Sequence, residues 1–163
     1  MILVTVGTLL PFDRLVREID RLAADGHFVG EEVFVQKGVG GYEPKHVRWT
    51  EALDRADFRR LATSSRAIVS HAGMGTIIQA LNQGKPMLVV PRRRHLRENV
   101  NDHQLATARR FEADGQVLAA YDISELGSKL AALATFRPAP RDARPDLVVA
   151  RISSFVRTQT VRS

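Results

Sequence analysis

The chain has no cysteine, so disulfides and thiolate metal sites are both excluded, which fits a reducing compartment. It is also poor in aromatic residues. With one tryptophan and two tyrosines it lacks the basic-aromatic interleaving of proteins that stack on single strands, and nucleic acid is set aside as a partner. No stretch approaches the ~18 consecutive apolar residues of a membrane span. The apolar start, MILVTVGTLLPF, has no basic leader and no small-residue cleavage site, so it reads as a first core strand and not as a signal peptide. Two catalytic signatures are missing as well. No G-x-S-x-G occurs, which leaves hydrolase chemistry without support. The first strand runs into Gly7-Thr8-Leu9-Leu10-Pro11 and not into G-x-G-x-x-G, and the second ends in Gln36-Lys37 with no acid to hold a ribose. A nicotinamide site is therefore disfavoured.

What is present is a chain of 163 residues, 44% hydrophobic, which suits one domain (1–163) with a proper core. The formal net charge is +6 and unevenly spread. Arg92, Arg93, Arg94 and Arg97 form one cluster, and six arginines from Arg137 onward face only Asp142 and Asp146. Such a balance suits an anionic ligand, an acidic partner or a membrane surface.

Along the chain, short apolar runs alternate with segments of helical period. Strands are expected at 2–6, 33–36, 47–49, 67–70, 87–90 and 116–120. Helices are expected after Pro11, with Phe12, Leu15, Val16, Ile19 and Leu22 inward, and over 58–64, 99–113 and 123–133. In the 99–113 helix, Val100, Leu105, Ala108 and Phe111 are the expected inward face. Residues 135–145, TFRPAPRDARP, read as an extended linker, and 146–157 as a terminal helix. This alternation predicts an α/β fold: a Rossmann-like parallel sheet with helices on both faces. Ligands of such sheets sit beyond the carboxyl ends of the strands, where Gly7-Thr8, the loop 37–41, the loop 71–75 and the segment after Pro91 all lie.

The stretch 69–104 carries the chemistry. A strand runs into the bend His71–Gly75, and a helix follows with Met74, Ile77, Ile78 and Leu81 on one face. A glycine bend feeding a helix leaves backbone N–H groups outward with the positive end of the helix dipole behind them, a site for phosphate. Gly73 and Gly75 alone carry little, since glycines in such bends are often structural. His71 is either a core histidine bonded to backbone or a donor to phosphate. Gln79 is either solvated or a reader of ribose hydroxyls. Asn101, Asp102 and Gln104 are either caps or hydroxyl-binding groups for a sugar. Ser70 and His71, adjacent on a strand, are expected to point to opposite faces and so not to pair. His95, Glu98, Asp102 and His103 are too irregularly spaced for a metal site, and none is expected.

By Gln104 the pattern is specific. SHAGMGTIIQALNQGKPMLVVP, followed by ENVNDHQ, resembles the C-terminal, donor-binding half of glycosyltransferase family 28 enzymes. The closer likeness is to stand-alone half-enzymes. These are the small subunit of the eukaryotic transferase for the second step of dolichol-linked glycan synthesis, and the PssE-like subunits of bacterial exopolysaccharide glucuronosyltransferases. The likeness runs from MILVTVGT to about Phe111.

The resemblance implies one Rossmann-like half of a GT-B glycosyltransferase. Gly7 and Thr8 would face a diphosphate, and His71, Gly73, Gly75 and Thr76 would hold it. Gln79 stands where the family usually has glutamate for the ribose. Gln104, with Asn101 and Asp102, would read the transferred sugar, and the uracil wall would lie within residues 53–58. The activity implied is inverting transfer of a hexose or hexuronic acid from a UDP-sugar to a lipid-linked saccharide acceptor in polysaccharide synthesis, with no cofactor beyond the donor substrate. The acceptor and the general base would belong to a membrane-anchored partner subunit, placing the chain at the cytoplasmic face of the membrane. A glucuronate donor would bring Arg92, Arg93 or Arg94 in as carboxylate readers; a solvated or membrane-facing basic loop is the plainer account of them. A non-catalytic nucleotide-sugar binding module is the alternative function.

Overall fold

The computed structural model describes residues 1–8 and 10–140. It orders the elements as β1 (Ile2–Thr5), α1 (Asp13–Ala24), β2 (Val33–Gln36), β3 (Arg48–Thr50), α2 (Arg55–Ser64), β4 (Ala67–His71), α3 (Met74–Asn82), β5 (Met87–Val90), α4 (His103–Ala113), β6 (Leu118–Ala119), a single 3-10 turn (Ile123–Glu125) and α5 (Leu126–Leu133). The expected terminal helix, 146–157, and residues 141–145 of the expected linker lie outside the described residues. The described start of that linker packs on the domain: Phe136 rests on the core and Ala139 N–H bonds to the Gly115 carbonyl at 2.9 Å.

All strand pairs are parallel, and the sheet order is β3-β2-β1-β4-β5-β6. The chain winds one way from β1 to β3 and the other way from β4 to β6. The switch point falls between β1 and β4, and the crevice outside their carboxyl ends is where such sheets bind ligands.

Four-residue strands that are wholly buried, such as β1 and β5, serve two cores by alternation. Ile2 and Val4 face one side, where they meet Leu15, Val16, Ile19 and Leu22 of α1 and Leu126, Leu130 and Leu133 of α5. Leu3 faces the other, with Ala62 of α2, Ile77 and Ala80 of α3 and Ala108 of α4. Burial of each such aliphatic side chain contributes about 1.5–3 kcal/mol before the entropy of ordering it is charged.

Several boundaries differ from expectation, each with a local cause. α2 starts three residues earlier than expected because Asp54 caps it, its carboxylate accepting the Asp57 N–H at 2.7 Å. α4 starts four residues later than expected. Residues 99–102 form turns, so Val100 is 83% exposed and not inward as expected. β6 shrinks to Leu118–Ala119, and the last expected helix opens as a 3-10 turn under a capping box made by Asp122 and Glu125.

One buried carboxylate braces α1. Asp20 of α1 accepts the N–H groups of Lys45 and His46 and the Tyr42 hydroxyl at 2.7–3.1 Å. Burial alone would push its carboxyl up, but the bonds from His46, Lys45 and Tyr42 bring it below the ordinary range. It thereby ties the long β2–β3 connection to α1.

Candidate functional site

A cleft of about 680 Å³ opens at the carboxyl ends of the strands, within the size range of ligand pockets. The loops after β1, β2, β4 and β5 all line it, as does the segment leading into α2. Gly7, Thr8, His71, Gly73, Gly75, Thr76, Gln79 and Gln104 are among the lining residues, so the structure brings these candidates together. Leu53, Asp54, Arg55 and Phe58 line the side where the resemblance expects a base wall.

The floor is a histidine between two glycines. Gly73 N–H bonds to the His71 carbonyl at 2.8 Å, which turns the chain as it leaves β4. The ring then lies so close to Gly73 that a Cβ there would come within 2.2 Å of Nε2; one on Gly7 would come within 2.8 Å of Cε1. Gly7 also has φ +84, the left-handed region that side chains disfavour. Both glycines are therefore required by the imidazole. At Gly75 a Cβ would meet nothing, because the space beside it is open cleft.

The expectation that Ser70 and His71 cannot meet is corrected. The bend folds the ring back over the strand end, and Ser70 Oγ lies 3.1 Å from Nδ1 and 2.8 Å from the Thr5 carbonyl. Ser70 is fully buried, so the pair is still no nucleophile and base. Its hydroxyl has one proton for two acceptors. Rotating that proton onto Nδ1 leaves the imidazole proton on Nε2, the donor a phosphate oxygen needs. Burial, and after it the positive charge of Arg92, pushes the imidazole down to about 4, so it is neutral at pH 7.

The N-terminus of α3 has Gly73 as its N-cap and no side-chain cap, whereas α2 is closed by its own Asp54. The first amides of α3 thus face the cleft without a side-chain acceptor, beside the positive end of the helix dipole. Thr76 and Gln79 line the cleft from the following turns. Met74, expected inward, is 51% exposed, and the buried face of α3 is carried by Ile77 and Ala80.

The other polar candidates divide. Gln104 is buried, lines the cleft and accepts the Arg92 N–H at 3.1 Å. Asn101 and Asp102 are not among the lining residues. Their carboxamide and carboxylate accept the N–H groups of His103 and Arg94, shaping the loop. Asn99 and His103 line the cleft instead.

Arg92 is a second correction. Arg92 lines the cleft, but its buried guanidinium donates to the carbonyls of Val6, Leu10 and Pro11 at 2.7–2.9 Å and packs 4.6 Å from the Phe12 ring centroid, so its N–H groups are committed to the backbone and not to a sugar carboxylate. Arg93 reaches the Tyr121 carbonyl, Arg94 is exposed, and neither lines the cleft.

Sequence reasoning missed Gln36 and Asn99. Gln36 is a buried clamp: its Oε1 accepts from the Thr5 hydroxyl and Val6 N–H, and its Nε2 donates to the Gly7 and Glu51 carbonyls. A polar residue ending a buried strand was the available signal. Among the described residues no group of three or more His, Asp or Glu is placed to hold a metal.

A 3-2-1-4-5-6 parallel sheet with an uncapped helix start at its switch point is a Rossmann-like fold, the architecture of one half of a GT-B glycosyltransferase among others. The chain belongs to the glycosyltransferase family 28 C-terminal domain, whose family model matches residues 1–147. It is 43% identical over 72 residues to the UDP-N-acetylglucosamine transferase subunit ALG13 of Eremothecium gossypii, a match covering 44% of this chain and 34% of that relative. The solution structure of an ALG13 superposes with a TM-score of 0.62 at 21% identity, covering 89% of this chain and 91% of that one. The crystal structure of the kitacinnamycin glycosyltransferase gives a TM-score of 0.62 at 21% identity, covering 82% of this chain but 34% of that enzyme. At that identity the structural likeness concerns the fold.

Proposed function

We propose that the chain is the donor-binding subunit of a two-chain inverting glycosyltransferase that takes a UDP-sugar. The observation that carries this reading is the meeting, in one cleft, of the open α3 N-terminus, His71 and the Gly7-Thr8 loop. The diphosphate would lie on the amides of Met74, Gly75 and Thr76 with His71 Nε2 donating, the uracil against Leu53–Phe58, and Gln79 beside the ribose. Negative charge developing on the departing UDP would then be stabilised by fixed N–H groups and the helix dipole, with no cofactor beyond the donor. Gln104, with Asn99 and His103 near it, would read the sugar. A second, membrane-anchored chain would present a lipid-linked saccharide and supply the general base at the cytoplasmic face.

The sugar is taken to be a hexose or a hexuronic acid. With the Arg92 guanidinium held by three backbone carbonyls, the Arg92–Arg94 run gives a glucuronate reading little support. Calorimetric titration of UDP into the full chain, followed by a UDP-sugar panel on membranes co-expressing an acceptor-bearing chain, tests the proposal. Binding of UDP by the chain alone, with transfer only when both chains are present, is the expected result. Failure to bind UDP at all would overturn it, and turnover without a partner would remove the two-chain part.

A further inference from the structure

The loop after β5 ends in a tip that nothing in the described structure uses. Arg94 to Arg97 make one tight turn, closed by the Arg97 N–H on the Arg94 carbonyl at 2.9 Å. Its base is pinned. Glu98 accepts two bonds from the Arg14 guanidinium and one from the Arg93 N–H, at 2.7–2.9 Å. Arg92 holds three carbonyls of the β1–α1 connection from below. The tip is free. Arg94, His95, Leu96 and Arg97 are exposed, and the side chains of Arg94, His95 and Arg97 make no hydrogen bond or ion pair among the described residues. Leu96 is 48% and Val100 83% exposed. Arg97 sits at φ 58, a left-handed conformation that disfavours a side chain, so the turn keeps its shape against a local cost.

Two unpaired arginines flanking an exposed leucine, with an exposed valine after them, match an anionic bilayer surface in both of its layers. The headgroups take the cations and the acyl boundary takes the aliphatic side chains. An acidic protein surface would answer the charge but would need an apolar patch of matching shape to give Leu96 and Val100 any gain, whereas a bilayer supplies both layers without one. We propose that this turn makes direct contact with anionic lipid. This goes beyond the function proposed above, in which the membrane is reached through a partner. Asn99 and His103, just behind the turn, line the cleft, so the contact would set the cleft mouth at the lipid surface.

Because the chain lacks cysteine, a single Leu96→Cys carrying an environment-sensitive fluorophore reports on the tip alone. Val29→Cys, at an 89% exposed position before β2 on the opposite edge, is the control. With phosphatidylglycerol-containing vesicles the label at 96 should shift to the blue and the label at 29 should not. Phosphatidylcholine alone should shift neither. Arg97→Asn, which tolerates the left-handed backbone, should weaken the response about fivefold, the loss of one cation near an anionic surface. If the label at 96 stays silent while the chain sediments with vesicles, another segment holds the lipid and the proposal falls. A shift produced by an acceptor-bearing chain and not by lipid would end it too. No nucleotide enters the assay, so its failure leaves the donor-binding reading standing.

Discussion

The bend after β4 and the loop after β5 leave neighbouring strands at the same edge, yet they are built on opposite plans. The first is nearly bare: Gly73, Gly75 and an uncapped helix start, with one imidazole laid between glycines. The second is dense with side chains, where Arg92, Arg93, Glu98 and Asp102 each bond to backbone or to one another. An anion needs N–H groups that the chain has not already satisfied, so a binding bend must do without caps. Its rigidity has to come from elsewhere. Arg92 supplies it from the neighbouring loop by fixing the carbonyls of Val6, Leu10 and Pro11, which hold the Gly7 loop against His71. One region binds because the other is tied down.

Breaking that division of labour at its hub should have the largest effect. Arg92→Met strips donors from three buried or half-buried carbonyls, and we expect a loss of about 3 kcal/mol or more in urea denaturation, with UDP affinity falling as the Gly7 loop loosens. Arg92→Lys should not rescue it, because an ammonium cannot span the same fork of acceptors. A loss below about 1 kcal/mol would show the two loops to be independent.

The bare region should reveal itself through pH. The His71 imidazole sits at about 4 in the folded chain, against about 6.5 when unfolded. As the pH falls, the unfolded state takes the proton first. Stability is thus complete above pH 6.5 and declines as the pH drops toward 4, by at most about 3 kcal/mol. Urea midpoints between pH 7 and pH 4.5 measure it. His71→Gln should flatten that slope; a slope left unchanged would place the titrating group elsewhere.

Gly73→Ala attacks the same spot sterically. The backbone there, φ −84 and ψ 127, admits alanine, so the whole cost is the 2.2 Å approach to Nε2. We expect about 1–3 kcal/mol of destabilisation and a clear loss of UDP affinity. Gly75→Ala, which meets nothing in the chain, should be neutral for folding, so any loss of UDP affinity there reads the ligand's own footprint.

The two plans were not equally legible. The bend announced itself, because a buried strand, a glycine turn and a 3.6-residue period are each local signals, and together they placed His71, Gly73, Gly75, Thr76 and Gln79 at the cleft. Parallel alternation of elements was likewise enough for the fold class. The loop after β5 was opaque. Arg92, Arg93 and Arg94 look alike in sequence, and which one turns inward depends on carbonyls about eighty residues upstream. The start of α4 was misplaced for a related reason: Asn99, Asn101 and Asp102 all offer cap chemistry, and the chain passes over the first to use the later ones in the loop. Gln36 escaped notice because its four bonds are all long-range.

The smallest effect is the sharpest control on the comparison. Arg94 lies two residues from Arg92, with the same side chain, but it is exposed and its bonds run from its backbone, the N–H to Asp102 and the carbonyl to the Arg97 N–H. Arg94→Ala removes no donor from a buried acceptor, so stability should change by no more than about 0.5 kcal/mol. Because Arg94 does not line the cleft, affinities for UDP-glucose and UDP-glucuronate should both stay as they were. A selective loss for the uronate would return Arg94 to the sugar site and mean that the loop swings over the cleft when donor binds. Unchanged affinities, set against the collapse expected for Arg92→Met, would confine the arginine run to two jobs: a buried brace and an outward-facing tip.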